Sequence, residues 1–470
     1  MEDSNLSEFG IVGLGVMASA YARNLYSRGF RVSVWTRSRK EIDNFNEKLN
    51  QQPKSSGLVP DSINLTNVKC YMDLDEFVSS LKTPKMILML ITAGEAVDSV
   101  LDKLILLLDK HDMVIDGGNE WYKNTERRIL RCKQSGIRYS GMGISGGERG
   151  ALTHPCLMFG GNLEDYNELK RILSQVDTDF YVGPGSSGHY VKMVHNGMEY
   201  ALMQVISELY KLMKCENMMS NSDIASVFNA WHSENYSYLL QITQMILQVK
   251  EGNEHLLDKI LPCVSSNGTG KWTVQDAFDR AVPVPSIAIS VDMRCFSNLS
   301  QHSNIPNTNN VGERVEKYKI DELKLTYICT AISIFSQGFH LVSEASREFG
   351  WDLNLSRLAN IWSKNAIISC DLLNEISKSF KETDRMLPFH SKFNGILKDS
   401  MKTWKDVVKR CLENDIPVPG IATSLQYIQI LFNKHEGYNL IQAQRDCFGS
   451  HTFRRVDMLG NHHYNWWNNE

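Results

Sequence analysis

The chain has 470 residues, 42% of them hydrophobic, and 50 Lys and Arg stand against 54 Asp and Glu, for a net charge of −4. A single hydrophobic core stops growing near about 250–300 residues, so this length predicts at least two cored units. The balanced charge leaves no broad basic field, which argues against nucleic acid or a membrane surface as a partner.

Ten cysteines are scattered along the chain without a C-x-x-C pair, as is typical of reduced thiols. The first residues, MEDSNLSEF, are acidic and resemble neither a secretory signal nor an Arg-rich leader, so we expect a cytoplasmic protein. No apolar run approaches about 18 residues, which predicts no membrane-spanning segment. The sequence shows no convincing metal cluster, and no metal is expected.

Short apolar runs alternate with amphipathic segments from Phe9 to about Val182, which is typical of βαβ units around a parallel sheet. Six strands are predicted, at Phe9–Val12, Val32–Trp35, Lys69–Met72, Met86–Ile91, Met113–Asp116 and Ile137–Met142. Helical spacing in Glu95–Leu108 and Thr125–Gln134 completes the pattern. Residues 1–184 are therefore predicted to form an α/β Rossmann-type domain.

After the glycine-rich stretch Gly183–Gly188 the periodicity becomes helical, which predicts a large all-α domain over residues 185–433 and a tail over 434–470. Four side chains recur at a constant offset of 131: Ile224, Val227, Phe228 and Trp231 match Leu355, Leu358, Ala359 and Trp362. An internal duplication or two unrelated amphipathic helices would explain the match. The polar stretch Ser297–Asn310 is predicted to be a surface insertion.

The first predicted strand leads directly into a glycine-rich turn, Gly13-Leu14-Gly15-Val16-Met17-Ala18. Gly13 allows the tight turn, Gly15 lets the backbone approach a pyrophosphate, and Ala18 keeps helix and strand close. Placed between a strand and a helix at the start of a βαβ domain, this pattern predicts a dinucleotide site. The alternative is a tight turn without a ligand.

The second predicted strand ends in Thr36-Arg37-Ser38, where an NAD enzyme would place an acid for the ribose diol. Arg37, flanked by two hydroxyls, suits a 2′-phosphate instead, because its planar fork pairs with phosphate oxygens. The cofactor predicted is therefore NADP. The alternative is a surface arginine that caps the next helix.

Four polar residues, Lys192, His195, Asn196 and Glu199, lie on one stripe of a long apolar helix predicted to end at about Lys214. The alternative to a site is a solvated helix face. Asn119 and the turn Ser145-Gly146-Gly147 each follow a predicted strand, at the edge where α/β ligands bind. Together these features predict an oxidoreductase site for an anionic, polar substrate.

Six blocks of sequence make the chain resemble the decarboxylating 6-phosphogluconate dehydrogenases over essentially its whole length: G-L-G-V-M-A, D-G-G-N, I-S-G-G-E, K-M-V-H-N-G-M-E-Y, G-T-G-K-W-T and N-L-I-Q-A-Q-R-D-C-F-G-S-H-T. The resemblance implies a homodimer that converts 6-phosphogluconate to ribulose 5-phosphate, CO2 and NADPH in the pentose phosphate pathway. It also implies a C-terminal tail that reaches the partner's site.

The resemblance further implies a catalytic pair, Lys192 and Glu199. The substrate contacts it implies are Asn119, Ser145, Gly146, Gly147, His195, Asn196, Tyr200, Thr269, Arg294, Arg445 and His451, with Tyr200, Arg294 and Arg445 on the phosphate. The cofactor contacts expected are Gly13, Gly15, Val16, Met17, Thr36, Arg37, Ser38, Ile91, Ala93 and Asn119. The chain departs from the family pattern at Asn267 and Thr92, where Lys is common, at Ala18 for Gly and at Ala20 for Asn.

Two other functions fit part of this sequence. A sister β-hydroxyacid dehydrogenase would share the glycine turn and the lysine, but it lacks the long helical domain and the phosphate-reading tail. A non-catalytic NADPH-binding regulatory protein would keep Gly13 and Gly15 but could discard Lys192 or Glu199, and this chain has both.

Overall fold

The computed structural model describes residues 5–50, 67–174, 176–177, 179–265, 268–299, 317–433 and 437–467. Asn267 and most of the predicted insertion Ser297–Asn310 lie outside the described residues.

The N-terminal part of the chain forms one eight-stranded sheet with the strand order β3-β2-β1-β4-β5-β6-β7-β8. Its strands are β1 Phe9–Val12, β2 Val32–Trp35, β3 Val68–Tyr71, β4 Met86–Met89, β5 Met113–Asp116, β6 Arg138–Ser145, β7 Cys156–Gly160 and β8 Tyr181–Gly183. Neighbouring strands run parallel except β6 and β7. The helices between them are α1 Val16–Ser27, α2 Arg39–Asn50, α3 Leu74–Ser79, α4 Glu95–Leu107, α5 Tyr122–Gln134, α6 Gly147–Leu152 and α7 Leu163–Leu173.

This sheet confirms the predicted Rossmann-type fold and corrects several strand bounds. The predicted bounds of β1, β2 and β5 are those of the structure, whereas β3 begins one residue earlier than predicted and β4 ends at Met89. β6 runs on to Ser145. The prediction missed β7 and β8, because β7 returns antiparallel after a six-residue helix and β8 has only three residues.

The C-terminal part of the chain is mainly helical, as predicted. Its helices are α8 Ser187–Lys211, α9 Asn221–Glu234, α10 Tyr238–Gln248, α11 Thr269–Asp279, α12 Pro285–Leu299, α13 Ile320–Phe349, α14 Leu355–Asn365, α15 Asp371–Phe380, α16 Ser391–Glu413, α17 Pro419–Phe432 and α18 Tyr438–Gly449. A π-helical turn, Leu212–Glu216, extends α8. The predicted all-α domain also contains a short hairpin of β9 Lys250–Glu251 and β10 Glu254–His255, and the tail pairs β11 Phe453–Arg454 with β12 Asn461–His462.

The helical part repeats one arrangement twice, which favours a duplication over two unrelated helices. A long helix is followed by two shorter packed helices, first as α8, α9 and α10 and again as α13, α14 and α15. The matched residues Trp231 and Trp362 are both buried. The two units join where α10 and α15 begin, through an antiparallel bridge between Ser237 and Cys370.

Helix α13 is long and apolar enough to cross a membrane by length and composition, but 78% of its most apolar window is buried inside the protein. It packs against α8, α16 and α17, so it is a core helix. All ten cysteines are free thiols, as predicted.

Helix α8 lies directly on the backbone of the sheet. A Cβ atom added to Gly143 of β6 would overlap the side chain of Lys192, and one added to Gly188 would overlap the carbonyl oxygen of Gly141. At the same contact, His189 Nδ1 and Thr125 Oγ1 lie 2.7 Å apart in a hydrogen bond. The absence of these Cβ atoms therefore sets the height of α8 above the strands.

Replacing Gly188 by Ala should separate α8 from the sheet, because the new methyl group would meet backbone atoms that cannot move independently. We expect a loss of about 1–3 kcal/mol in the free energy of unfolding, measured by urea denaturation. Gly395→Ala is the matched control: that glycine lies in α16 with nothing within 4 Å of an added Cβ. It should gain up to about 1 kcal/mol from helix propensity. Equal effects of the two substitutions would contradict this account.

Candidate active site

The turn between β1 and α1 is shaped as its glycines predict. Gly13 has a φ of +103°, and a Cβ atom there would collide with the carbonyl oxygen of Leu90, the residue that follows β4. Gly15 precedes α1 and has open space around it, and Val16, the first residue of α1, is 58% exposed. Met17 is half-buried. The first backbone N–H groups of α1 thus face open space, where a helix N-terminus favours an anion.

The end of β2 presents Arg37 to solvent. The Thr36 hydroxyl is buried, donates to the Glu41 carboxylate at 2.5 Å and accepts the Ser38 N–H at 3.3 Å. Ser38 Oγ in turn accepts the Glu41 N–H at 3.3 Å. The two hydroxyls therefore fix the turn, and Arg37 is exposed, with no hydrogen-bond or ion-pair partner among the described residues.

Lys192 and Glu199 lie on a largely buried stripe of α8, so the alternative of a solvated helix face is wrong. Lys192 is 6% exposed, and burial lowers the pKa of its amine, although the Glu199 carboxylate opposes this shift. Burial also raises the pKa of Glu199, against the opposing charges of Lys192 and Arg294. Both groups are thereby shifted toward their neutral forms, the amine as a base and the carboxyl as an acid.

His195 lies at the centre of a buried hydrogen-bond chain that joins several predicted site residues. Its Nε2 is 3.1 Å from the Ser145 hydroxyl at the end of β6, and its Nδ1 is 3.1 Å from Asn196 Oδ1. Asn196 Nδ2 then donates to Thr269 Oγ1 at 3.2 Å and to Asn119 Oδ1 at 3.4 Å. The chain connects β6, α8, α11 and the turn after β5. Burial and the nearby Lys192 hold the pKa of His195 well below its usual value, which favours the neutral imidazole.

Ser145 also forms a hydrogen bond with the segment that follows helix α14. Its hydroxyl accepts the Ile367 N–H at 3.0 Å, which leaves the hydroxyl proton for His195 Nε2. Gly146 and Gly147 follow with φ values of +112° and +63°, conformations that favour glycine. The Ser145-Gly146-Gly147 turn is thus fixed from both the sheet and the helical part of the chain.

Tyr200 and Arg294 also meet. The Arg294 guanidinium carbon lies 3.3 Å from the centre of the Tyr200 ring, and its Nη1 donates to the Ser265 carbonyl oxygen at 3.2 Å. Partial burial lowers the pKa of Arg294. A stacked, partly desolvated arginine beside a phenol is suited to an anionic group such as a phosphate.

Arg445 and His451 are not brought to these residues within one chain. They lie on a tail, residues 437–467, whose hydrogen bonds among the described residues all close within the tail itself. The tail folds around the buried Asp446 carboxylate, which accepts the Trp466 Nε1–H at 2.8 Å. Arg445 and His451 are exposed.

Sequence reasoning missed a buried ionic cluster beneath the site. Arg128 of α5 is fully buried and contacts Asp98, Asp116 and Glu120. The signal was available, because Arg128 falls in helical phase with the buried residues Thr125 and Cys132. Among the described residues, no group of three or more His, Cys, Asp and Glu side chains is placed to hold a metal ion.

A glycine turn of the dinucleotide-binding type, together with a helix that carries a buried lysine and a largely buried carboxyl, defines the class of the protein: a nicotinamide-dependent dehydrogenase. The family model described as "NAD binding domain of 6-phosphogluconate dehydrogenase" matches residues 8–183, and "6-phosphogluconate dehydrogenase, C-terminal domain" matches residues 188–466. The chain belongs to the 6-phosphogluconate dehydrogenase family.

Named relatives match over their full length. The decarboxylating 6-phosphogluconate dehydrogenase 1 of Oryza sativa subsp. japonica is 36% identical, covering 98% of each chain. The decarboxylating enzyme of Staphylococcus aureus is 37% identical, covering 98% of this chain and 99% of its own. The solved structure of Plasmodium falciparum 6-phosphogluconate dehydrogenase has a TM-score of 0.89 and 34% identity, covering 98% of this chain and 100% of its own.

Replacing Arg37 by Ala should weaken NADP binding far more than NAD binding, because only NADP carries the 2′-phosphate. Loss of a charge-assisted pair corresponds to about 1.5–3 kcal/mol, which the ratio of the two dissociation constants measures. Arg39→Ala is the control, since Arg39 faces Asp43 at 3.3 Å in the next helix. An unchanged NADP to NAD ratio in Arg37→Ala would mean that another group reads the phosphate.

Replacing Lys192 by Met should stabilise the ligand-free protein at pH 7. Because burial lowers the folded-state pKa of Lys192, the folded chain binds fewer protons than the unfolded chain, and the stability of the wild type rises with pH toward about 10.4. Lys192→Met should raise the free energy of unfolding by about 1.4 kcal/mol for each tenfold loss in the proton affinity of the Lys192 amine on folding. This gain should shrink as the pH rises toward about 10.4. Urea denaturation at several pH values measures it. Lys402→Met, at an exposed position of α16, is the matched control.

Proposed function

We propose that this chain catalyses the oxidative decarboxylation of 6-phosphogluconate to ribulose 5-phosphate and CO2, with reduction of NADP to NADPH. The observation that carries this proposal is the pair of Lys192, buried, and Glu199, largely buried, on one stripe of α8, one shifted toward a neutral amine and the other toward a neutral acid. Family membership favours this function over the regulatory protein and the sister β-hydroxyacid dehydrogenase. The proposed domains are residues 1–184 and 185–433, followed by the tail.

The residues of the N-terminal part fit a bound NADP. The open space beside Gly15 and the uncovered start of α1 would receive the pyrophosphate, and the unpaired Arg37 would meet the 2′-phosphate. Ile91 and Ala93, both half-buried, lie on the loop after β4, beside this turn. When bound, the cofactor supplies a hydride acceptor. The Plasmodium falciparum relative is described in complex with NADP+ and in complex with 6-phosphogluconate.

Lys192 serves first as the base. Hydride can leave C3 of the substrate only as the C3 hydroxyl loses its proton, and the neutral amine at Nζ takes that proton. Burial of Lys192 lowers its pKa and so supplies the neutral form at physiological pH. The product of this step is a β-keto acid.

The same lysine and Glu199 then complete the reaction. The protonated Lys192 donates a hydrogen bond to the C3 oxygen as CO2 leaves and negative charge develops there. Lys192 passes its proton to that oxygen, which gives an enediol. Glu199, whose pKa is raised by burial, then gives its proton to C1 of the enediol, while the same hydroxyl returns its proton to Lys192 and becomes the ketone of ribulose 5-phosphate. The hydrogen-bonded chain through Ser145, His195 and Asn196 orients the sugar acid between the two groups.

We further propose a homodimer in which Arg445 and His451 of one chain complete the phosphate site of the other, beside Tyr200 and Arg294. The tail exposes large apolar side chains that nothing in this single chain covers within the described residues: Leu440, Ile441, Phe448, Val456, Leu459 and Trp467. Such a surface is typical of one that docks on another chain. Reduced cysteines support a cytoplasmic location, although some curated relatives are named as chloroplastic.

The two catalytic roles should separate in mutants. Lys192→Met should abolish NADPH formation, with a loss of at least about a thousandfold in kcat, because both proton removal and stabilisation of the C3 oxygen disappear. Glu199→Gln should allow hydride transfer and slow the release of ribulose 5-phosphate, which requires protonation at C1.

Single-turnover measurement of NADPH and of ribulose 5-phosphate distinguishes the two steps. Lys364→Met, outside the proposed pair, is a control for the loss of a charge nearby. Near-normal NADPH formation by Lys192→Met would refute its role as the base.

Mixing the two broken chains tests the shared site. If the tail acts on its partner, Lys192→Met chains combined with Arg445→Ala chains should regain one intact site per mixed dimer, and activity should return toward half of the wild-type value per mixed dimer. A site completed within one chain leaves every site broken. No restored activity after verified heterodimer formation would therefore refute tail exchange.

A further inference from the structure

The loop that leaves β4, residues 90–94, is held by its last residue, Gly94. The Gly94 N–H donates to Glu120 Oε2 at 2.8 Å, and its carbonyl oxygen accepts from Arg128 Nη2 at 2.9 Å. The backbone of Gly94 is thus bound twice, by Glu120 from the turn after β5 and by Arg128 from helix α5. Ile91 and Ala93, proposed above to contact the cofactor, lie on this loop.

The second loop held in this way is the turn after β5. Glu120 directly follows Asn119, is 3% exposed, and accepts from Trp121 N at 2.8 Å and Asn124 Nδ2 at 2.9 Å through its other oxygen. Asp116 accepts the Gly118 N–H at 3.0 Å within the same turn. Asn119, which meets Asn196 of the hydrogen-bond chain, therefore sits on a turn that is fixed from below.

One guanidinium joins the two loops. Arg128 donates to Glu120 Oε2 at 2.6 Å and more weakly to Asp116 Oδ2 at 3.5 Å, while its Nε and Nη2 make two bonds of 2.9 Å to Asp98. With the bond to Gly94, these contacts engage all five N–H groups of the fully buried side chain. A planar fork with fixed donor directions sets distances between its partners, which a flexible ammonium group would not.

We propose that Glu120 and Arg128 are positioning residues that set the spacing between the loop ending at Gly94 and the Asn119 turn, and thereby the affinity for NADP. Neither residue is catalytic in this proposal. The proposal rests on the proposed cofactor site. It attributes the spacing of the two loops to the contacts of Glu120 and Arg128 with Gly94, which we call the clasp. The property of Glu120 that matters here is the length of its side chain rather than its charge, because the carboxylate must span from its own turn to the Gly94 N–H.

Two conservative variants of Glu120 separate reach from charge. Glu120→Asp keeps the charge but is one methylene shorter, so it cannot meet Gly94 and Arg128 together; we expect the dissociation constant for NADP to rise about tenfold. Glu120→Gln keeps the length and can turn its amide oxygen to the same two donors, Gly94 N–H and Arg128. Its NH2 group then faces the Trp121 N–H and Asn124, a loss within its own turn that should lower thermal stability, whereas NADP affinity should stay within about threefold of the wild type. The KM for NADP should follow the same order, with little change in kcat at saturating NADP.

Asp98→Asn is the matched control, because it removes a carboxylate from the same guanidinium without contacting the loop through its side chain. It should leave NADP affinity within about twofold of the wild type, whatever its effect on thermal stability. If Glu120→Gln binds NADP no better than Glu120→Asp, or if Asp98→Asn weakens binding equally, the proposal is overturned.

Wild-type measurements keep the test independent of folding and of turnover. Hydrogen exchange should show the Gly94 amide protected before NADP is added, and exchange at the unprotected rate would overturn the clasp even if Glu120→Asp fails to fold. A wild-type chain that binds NADP but does not oxidise 6-phosphogluconate would refute the proposed function and leave this inference intact. A wild-type chain that binds no NADP would overturn both.

Discussion

The direct contact of helix α8 with the strand backbone is the constraint on which the rest of the site depends. Gly141 and Gly143 of β6 lack side chains where the helix crosses them, so the helix backbone and the strand fix each other's position. Lys192 emerges at that crossing, and Ser145, at the end of the same strand, reaches His195 one turn further along the helix. A site carried on a strand and a helix keeps its spacing better than one carried on loops.

The same contact produces the chemistry as well as the geometry. Burial of the amine at this crossing lowers the pKa of Lys192, and partial burial two turns further along α8 raises that of Glu199. Both shifts favour the forms that the proposed reaction requires, and burying the two groups costs folding stability. The large helical core, which includes Trp362 and Trp404, offsets that cost.

The sequence was sufficient for those parts of the fold that depend on local pattern. Continuous apolar runs located β1, β2 and β5, and glycine spacing located the dinucleotide turn. The sequence did not predict features that depend on partners distant in the chain. Arg128 is buried only because three carboxylates from separate segments converge on it. The tail's fold around Asp446 depends likewise on donors that follow it by 17 to 20 residues.

The two long helices of the repeated arrangement, α8 and α13, differ in the polar side chains that they carry. At the offset of 131, the residues of α13 that correspond to Lys192, His195, Asn196 and Glu199 of α8 are Leu323, Thr326, Tyr327 and Thr330. None of these replacements is a lysine, a histidine or an acid, and Leu323, Thr326 and Thr330 are fully buried. These four positions of α13 therefore hold no group that exchanges a proton near neutral pH, and α13 packs against α8 as a scaffold rather than as a second reactive surface.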